Sequence, residues 1–280
     1  MSAAEVSPLP SLSPLPSLRS LDDHLHRRAP RYSLYQGDSL QLLDRMPAES
    51  FDLVFADPPY FLSNGGFTCK AGKRAPVEKG GWDRSRGVEV DHEFTVRWLR
   101  ACQRVLKPSG TIWVSGTQHV IFSVRFGMQQ LGFKLLNTIT WFKPNASPNL
   151  SCRYFTHSTE LVIWAAPHPS TRLQHTFNYA QMKAENGGKQ MRDLWQMTTP
   201  RKSEKEMGGH PTQKPLALLI RILAASTKEG DRVLDPFNGS GTTGVAAMRL
   251  GRHYTGVDID PGYLATTRKR LDASPDLKSV

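Results

Sequence analysis

The chain has 280 residues, 39% of them hydrophobic, which is enough to bury the core of one large domain. Lysine and arginine total 36 against 25 aspartates and glutamates, and the net charge of +11 favours a polyanionic partner, with nucleic acid the first candidate. The lack of an 18-residue apolar run and of a leader pattern argues against a transmembrane helix and a secretion signal. Three scattered cysteines form no CxxC pair, so we expect a reduced cytoplasmic setting, no disulfide framework and no metal site.

The first 28 residues repeat the hexapeptide Ser-Pro-Leu-Pro-Ser-Leu, at 7–12 and again at 13–18. Proline at this density removes backbone donors and favours an extended coil. We therefore expect residues 1–28 to be a disordered tail and residues 29–280 to form a single domain.

Beyond the tail, apolar runs that end at Gly, Pro or Asp alternate with helical patterns. Strands are predicted at Tyr32–Gln36, Phe51–Ala56, Thr111–Ser115, Lys134–Phe142, Glu160–Ala165, Arg232–Asp235 and His253–Asp258. Helices are predicted at 92–106, Pro215–Ser226, Gly241–Leu250 and Pro261–Leu271. This alternation predicts a three-layer α/β/α fold of about seven strands.

Two segments interrupt the alternation. Residues 65–90 are rich in glycine and charge, and we predict a mobile basic loop there. Residues from about 143 to 210 have few apolar runs and many lysines and arginines. We interpret most of this second segment as an insertion that contacts the partner.

A glycine-rich turn follows the predicted strand Arg232–Asp235. Gly239, Gly241 and Gly244 fit the spacing GxGxxG at the start of a helix. Asp258 ends the next strand, 19 residues after the first glycine. Glycines let the backbone approach a ligand, the helix N-terminus favours a negative group, and the carboxylate can accept both hydroxyls of a ribose. The motif admits NAD, FAD or S-adenosylmethionine.

The position of this motif in the chain restricts the fold. Only 36 residues follow Gly244, enough for one strand and two helices, whereas a dinucleotide half-fold needs more strands downstream. The remaining strands must come from residues before the loop, and 51–60 is the natural neighbour. This order predicts a circularly permuted sheet with its cofactor half at the C-terminus.

The tetrapeptide Asp57-Pro58-Pro59-Tyr60 directly follows a predicted buried strand, at the edge where open α/β sheets bind ligands. The two prolines fix the backbone and hold the Pro58 carbonyl out as a rigid acceptor, and Asp57 is a second acceptor. Two acceptors can take both N–H groups of an exocyclic amine, so that its lone pair points at a sulfonium methyl group. A base inside a duplex cannot be reached, so it would be flipped out and stacked on Tyr60.

The tetrapeptide and the glycine loop, in this order, resemble the β class of amino-group DNA methyltransferases over about residues 30–272. The resemblance implies a Rossmann-like methyltransferase fold, S-adenosylmethionine as cofactor, and a catalytic role for the tetrapeptide. Residues 61–66 and 149–160 resemble more narrowly the DpnA-type N6-adenine methylases, which implies adenine in GATC-like sites, although related enzymes read asymmetric sites. Asp57 at the first position favours adenine, whereas serine there would favour N4 of cytosine.

The resemblance also implies a set of cofactor-binding residues: Asp38, Thr212, Lys214, Phe237, Asn238, Gly239, Ser240, Gly241, Thr242 and Asp258. Within this set, Asp258 would bind the ribose, Asp38 the adenine amine and Ser240 the methionine carboxylate. Thr212 and Lys214 belong to a segment that closes over the methionine moiety. Asp260 is an alternative to Asp258, but an N-cap before Pro261 explains it better.

The implied partner is double-stranded DNA, with single strands left open, and no membrane is expected. The predicted DNA-binding residues are Lys70, Lys73, Arg74, Lys79, Asn149 and Arg153. A cognate restriction endonuclease and a homodimer are further implied partners. Three other functions stay open at this point: an N4-cytosine methyltransferase, an NAD-dependent oxidoreductase and a non-catalytic nucleic-acid-binding module.

Overall fold

The structure is a computed structural model that describes residues 20–63, 65, 67–70, 73–76, 80–169, 174–208 and 210–274, without the side chains of 67–70, 73, 74 and 82. The strands are β1 (Leu25–Ala29), β2 (Tyr32–Gln36), β3 (Phe51–Ala56), β4 (Phe67–Lys70), β5 (Lys73–Pro76), β6 (Leu106–Gly116), β7 (Lys134–Phe142), β8 (Thr159–Ala166), β9 (Leu194–Gln196), β10 (Arg232–Asp235) and β11 (His253–Asp258). The helices are α1 (Ser39–Arg45), α2 (Val88–Val105), α3 (Ile121–Gln130), α4 (Tyr179–Glu185), α5 (Leu216–Ser226), α6 (Thr242–Arg249) and α7 (Pro261–Asp272), and short 3₁₀ turns lie at Leu21–His24, Gly81–Asp83 and Lys202–Lys205.

The main sheet of the described residues has nine strands in the order β1-β2-β11-β10-β3-β6-β8-β7-β9. Strands β2, β11, β10, β3 and β6 are parallel, whereas β1 and β8 run antiparallel to their neighbours. The last two strands of the chain therefore lie between β2 and β3, which is the predicted permuted order. The predicted count of about seven was too low because the two edge strands β1 and β9 were missed.

Helices cover both faces of the sheet. Leu42 of α1, Trp98 of α2 and Val124 of α3 are buried in one core cluster. Residues of α5, α6 and α7 form a second cluster on the opposite face. In β3, Val54 belongs to the first cluster and Leu53 to the second, because successive side chains of a strand point to opposite faces. Because both faces of this central strand are buried, its sequence is a continuous apolar run. The helices on both faces confirm the predicted three-layer arrangement.

The predicted boundary of the disordered tail is wrong for residues 20–28. Leu21–His24 forms a 3₁₀ turn, and β1 pairs antiparallel with β2, with Ala29 opposite Tyr32. A half-exposed edge strand with three consecutive basic residues lacks the apolar alternation that identifies strands from sequence. Residues 1–19 lie outside the described part of the chain.

The two predicted interruptions are also more regular than expected. Within 65–90, β4 and β5 pair antiparallel, and α2 already begins at Val88. Within 143–210, β8 lies between β6 and β7 in the sheet, so this stretch is not one insertion. The Asn178 side chain, just before α4, donates to the carbonyls of Ala224 and Thr227 at the end of α5 and so fastens that part of the segment to the fold. Within the described ranges, no helix combines the length and apolarity needed to cross a membrane.

Candidate active site

Four adjacent parallel strands, β2, β11, β10 and β3, end at the same edge of the sheet. The chain continues from β10 into α6 on one face and from β3 towards α2 on the other, and such a reversal opens a crevice at the carboxyl ends. A cavity of about 310 Å³ occupies this position and is lined by residues that follow all four strands, among them Asp38, Asp258, Gly239 and Asp57. The topology therefore brings together segments that are far apart in the chain, such as those of Asp38 and Asp258.

The glycine turn has backbone conformations in which other residues would be strained. Gly239 and Gly241 have φ of 51° and 73°, and a Cβ on Gly241 would lie 2.3 Å from Cγ2 of Thr267. The buried Asn238 amide donates to the Gly239 carbonyl at 2.7 Å and to the Thr267 hydroxyl at 2.8 Å, while its oxygen accepts from Tyr254. The structure thus places Asn238 in the scaffold of the turn.

Two carboxylates hold the ends of this turn. Burial raises the pKa of Asp235 to about 7, although the Thr243 hydroxyl and the Phe237 N–H both donate to it. Burial also raises the pKa of Asp258 to about 6, against the opposing effect of N–H donors from Asp260 and Gly239. Each oxygen of Asp258 accepts one backbone bond, which leaves lone pairs for further donors.

The remaining predicted acids have separate places. Asp38 caps α1 by accepting from the N–H of Gln41 at 3.0 Å and lines the cavity with its exposed side chain. Asp260 caps α7 and accepts from the N–H groups of Gly262 and Tyr263, as the sequence predicted. Asp258 and Asp260 both line the cavity, but the side chain of Asp260 is engaged in capping α7.

Residues 210–215 close over the glycine turn. His210 accepts from the N–H of Thr212, packs edge-on against Tyr263 at 4.5 Å between ring centroids, and lies over Gly239. The Ser240 hydroxyl donates to Gln213 at 3.1 Å. The predicted residues Ser240 and Thr212 thus lie near one another, Thr212 lining the main cavity and both lining a smaller adjoining cavity of about 40 Å³. Thr242, also in the predicted set, lines that smaller cavity.

The Asp57 carboxylate is surrounded by donors. Its Oδ1 accepts from the Tyr60 hydroxyl at 2.6 Å and the Ser115 hydroxyl at 2.7 Å, and its Oδ2 lies 2.6 Å from Nζ of Lys214. A carboxylate offers about four acceptor positions, so room for one further N–H donor remains. Pro58 and Pro59 line the main cavity beside it.

Lys214 is an ammonium held in the interior. Only 5% of its side chain is exposed, and Nζ also lies 3.1 Å from the Tyr60 hydroxyl and 3.6 Å from Oε2 of Glu160. Burial by itself lowers the pKa of Lys214, but the carboxylates of Asp57 and Glu160 outweigh that effect and raise it above the ordinary value. Burial and the same two carboxylates raise the pKa of Tyr60, so the phenol stays protonated. Lys214, predicted as a cofactor residue, thus lies against the carboxylate of Asp57, which was predicted as a catalytic residue.

A buried carboxylate that the sequence analysis missed holds the loop that follows β3. Asp83 is fully buried and accepts from the N–H of Tyr60 at 2.9 Å, the N–H of Leu62 at 3.3 Å and the hydroxyl of Ser63 at 2.8 Å. It lies in the charged segment 65–90, which also holds Glu78 and Glu89 among its basic residues, and nothing in the local sequence distinguishes Asp83 from them. Glu160, Ser115 and Tyr263 were missed as well, because nothing in the local sequence indicates their contacts with Tyr60, Asp57 and His210.

The predicted DNA-binding residues are only partly visible. Lys79 lies outside the described residues, and for Lys70, Lys73 and Arg74 only the backbone, in β4 and β5, is described. Arg153 is exposed.

Asn149 has a role inside its own loop. Its amide donates to the Tyr154 carbonyl at 2.6 Å, and its oxygen accepts from the N–H of Ser151 at 2.9 Å. The Asn149 side chain therefore holds the shape of the loop and does not extend toward a partner.

The cavity has the composition that S-adenosylmethionine requires. Phe94, Phe237 and Tyr263 provide apolar walls, the carboxylates of Asp38 and Asp258 provide acceptors, and the volume falls in the ligand-pocket range of roughly 300–1,000 Å³. Together with the carboxylate of Asp57 at one wall, these features define an S-adenosylmethionine-dependent methyltransferase of amino groups. The chain belongs to the family of DNA methylases that the N6_N4_Mtase model describes, which matches residues 51–269.

Individual relatives agree with this assignment. The chain is 53% identical over 240 residues to the Type II methyltransferase M2.DpnII of Streptococcus pneumoniae, covering 86% of this chain and 89% of that protein. It is 54% identical over 239 residues to M2.LlaDCHI of Lactococcus lactis subsp. cremoris, covering 85% and 88%. A crystal structure of an M1.HpyAVI–SAM complex is similar, with a TM-score of 0.63, 26% identity, and coverage of 86% and 99%.

These findings confirm the predicted family, the Rossmann-like methyltransferase fold, the enzymatic function and S-adenosylmethionine as the cofactor. They also decide against the oxidoreductase and the non-catalytic binding module. The enzyme is a DNA methyltransferase.

Proposed function

We propose that the enzyme methylates N6 of a flipped-out adenine in GATC-like sites of DNA. The observation that carries the proposal is the contact of the cofactor cavity with Asp57 and Pro58, a carboxylate and a rigid carbonyl. The choice of adenine is supported by aspartate at position 57 and by the identity to M2.DpnII and M2.LlaDCHI. The alternative substrate, N4 of cytosine, presents the same pair of N–H groups.

The residues of the site divide the work. Bound S-adenosylmethionine supplies a sulfonium methyl group, with Asp258 placed for the ribose hydroxyls and Asp38 for the adenine amine. Asp57 and the Pro58 carbonyl accept the two N–H bonds of the target amine, which turns its lone pair toward the methyl group. As the new N–C bond forms and the C–S bond breaks, the amine loses one proton to Asp57. Tyr60, whose hydroxyl is fixed on Asp57, offers its ring to the extruded base.

DNA binding would use the basic segments on either side of the site. We assign phosphate contacts to Lys70, Lys73, Arg74, Lys79 and Arg153, with duplex DNA as the main substrate and single strands as a second one. We also propose a single-domain organisation, with the start of the domain moved from residue 29 to residue 20 because Leu21–His24 and β1 belong to the fold.

Further partners follow from the same assignment. The names of the relatives, Type II methyltransferases of bacteria, support a cognate restriction endonuclease and a cytoplasmic location. The exposed rings of Phe122 and Phe126 on α3, 63% and 55% exposed, support a homodimer through that helix.

The test is transfer of labelled methyl groups to a GATC duplex, followed by digestion and identification of the modified nucleoside. We expect N6-methyladenine, and no product from a duplex that lacks the site. Asp57→Ala should abolish transfer while S-adenosylmethionine still binds, whereas the matched control Asp44→Ala, an exposed acid on α1, should keep full activity. N4-methylcytosine as the product would refute the adenine assignment.

A further inference from the structure

The loop 143–158 projects from the edge of the sheet that carries the active site. Strand β7 runs in the same direction as β6 and β3, so its last residue and the first residue of β8 both lie at the carboxyl edge. An ion pair of 3.0 Å between Lys143 and Glu160 joins the two ends of the loop. Oε2 of Glu160 lies 3.4 Å from the Tyr60 hydroxyl, which places the base of the loop against the proposed platform for the flipped adenine.

The tip of this loop exposes apolar surface. Phe155 is 94% exposed, the largest exposed fraction of any large hydrophobic residue described, and the neighbouring Tyr154 is 59% exposed. A phenylalanine ring in water is unfavourable, and an aromatic ring next to an arginine is the pairing that nucleic-acid surfaces use for bases and phosphates. Arg153, exposed beside them, supplies that cation.

The tip also has a defined shape. The Asn149 side chain bonds to Tyr154 and to both the N–H and the hydroxyl of Ser151. Cys152 has φ of 52°, a left-handed conformation that a non-glycine residue adopts only when its surroundings hold it there. These bonds give the loop a defined shape, so Phe155 is held at a defined position on its tip.

We propose that Phe155 inserts into the base stack at the position that the target adenine vacates, while Arg153 binds a flanking phosphate. Extrusion of a base leaves its neighbours unstacked, and an apolar side chain that fills the gap stabilises the extruded state. Duplex DNA is therefore the partner of this loop tip. The inference rests on the proposed function, since it concerns the same flipped base.

The experiment compares Phe155→Ala with wild type on two substrates, a GATC duplex and the same duplex with an abasic site opposite the target adenine. The abasic site removes the pairing partner of the target adenine, so extrusion costs less and the inserted side chain matters less there. We expect Phe155→Ala to lose about tenfold or more in kcat/KM on the paired duplex and less than about threefold on the abasic one. Phe155→Trp should restore activity on the paired duplex. Tyr179→Ala removes a 46% exposed aromatic ring near the opposite edge of the sheet, and it should behave as wild type.

If Phe155→Ala lost equal kcat/KM on both substrates, or none on either, insertion of Phe155 would be refuted. Activity of the wild type in the same assay would still support the proposed function. A second measurement, the fluorescence of 2-aminopurine at the target position, should rise on binding of wild type and rise less with Phe155→Ala. Equal increases would also refute the insertion of Phe155. A wild-type enzyme that methylates neither substrate would refute the proposed function itself, and this inference with it.

Discussion

The affinity for S-adenosylmethionine should depend on pH through Asp258. Burial raises the pKa of this carboxyl to about 6, and its ordinary value is 3.8. Only the ionised form offers acceptors to both ribose hydroxyls, so protonation competes with binding of the cofactor. Because the pKa is raised, the competition falls between pH 5 and 7, where an unshifted aspartate would remain fully ionised.

The size of the effect follows from the pKa. With a pKa of about 6, roughly one carboxyl in ten is ionised at pH 5, and nearly all are ionised at pH 8. The Kd for S-adenosylmethionine should therefore be about tenfold higher at pH 5 than at pH 8. Asp258→Asn replaces one carboxylate oxygen by an amide nitrogen and so removes one hydrogen bond to a charged group, worth about 1.5–3 kcal/mol. That variant should bind about ten- to hundredfold more weakly at pH 8, with a Kd that no longer varies with pH.

Calorimetric titration of S-adenosylmethionine into wild type and variants at half-unit steps from pH 5 to 8 measures this dependence. Asp44→Asn is the matched control, because this exposed acid on α1 is not among the residues that line the cavity, and it should leave the pH dependence unchanged. A wild-type Kd that stays constant over the range would refute the reasoning. The same slope in Asp258→Asn would show that another group is responsible.

Three other measurements test the site. Since the pKa of Asp235 is raised to about 7, the folded state holds an extra proton above pH 4, and the free energy of unfolding in urea should fall as pH rises from about 4 to 7; Asp235→Asn should flatten this dependence. Asp83→Asn turns an N–H donor toward Tyr60, so kcat should fall about ten- to hundredfold while the Kd of S-adenosylmethionine changes little; unchanged kcat would contradict its positioning role. Lys214→Met leaves Asp57 without its cation and should lower the free energy of unfolding by about 3–5 kcal/mol and abolish transfer; a variant as stable as wild type in urea would show that the pair is not needed for folding.

The sequence was most informative where a local pattern decides the structure. The strands β3, β10 and β11 have the predicted bounds, since each is an apolar run closed by a turn residue that also starts a functional loop. The glycine turn needs φ values that only glycine adopts easily, so its location was visible as well. The edge strand β1 and the short helix α4 depend on packing against distant residues, and no local pattern identifies them.

Contacts between residues that are distant in the chain could not be predicted from the sequence. The ion pair of Asp57 with Lys214 joins residues 157 positions apart, and the hydrogen bond from the N–H of Tyr60 to Asp83 joins residues 23 positions apart. Nothing at either end of such a contact indicates the other, because the fold alone determines which loops meet. The resemblance to a family supplied the roles of these segments but placed Lys214 with the cofactor rather than with Asp57.

The position of Lys214 bears on the identity of the target base. Its buried ammonium is balanced by two carboxylates, Asp57 at 2.6 Å and Glu160 at 3.6 Å, and Glu160 is shared with Lys143. A serine at position 57, the residue associated with N4 of cytosine, would leave two cations on one carboxylate in the interior, which is costly. An acid at position 57 and a lysine at position 214 therefore require each other. The proposed preference for adenine would therefore depend on Lys214 as well as on the tetrapeptide.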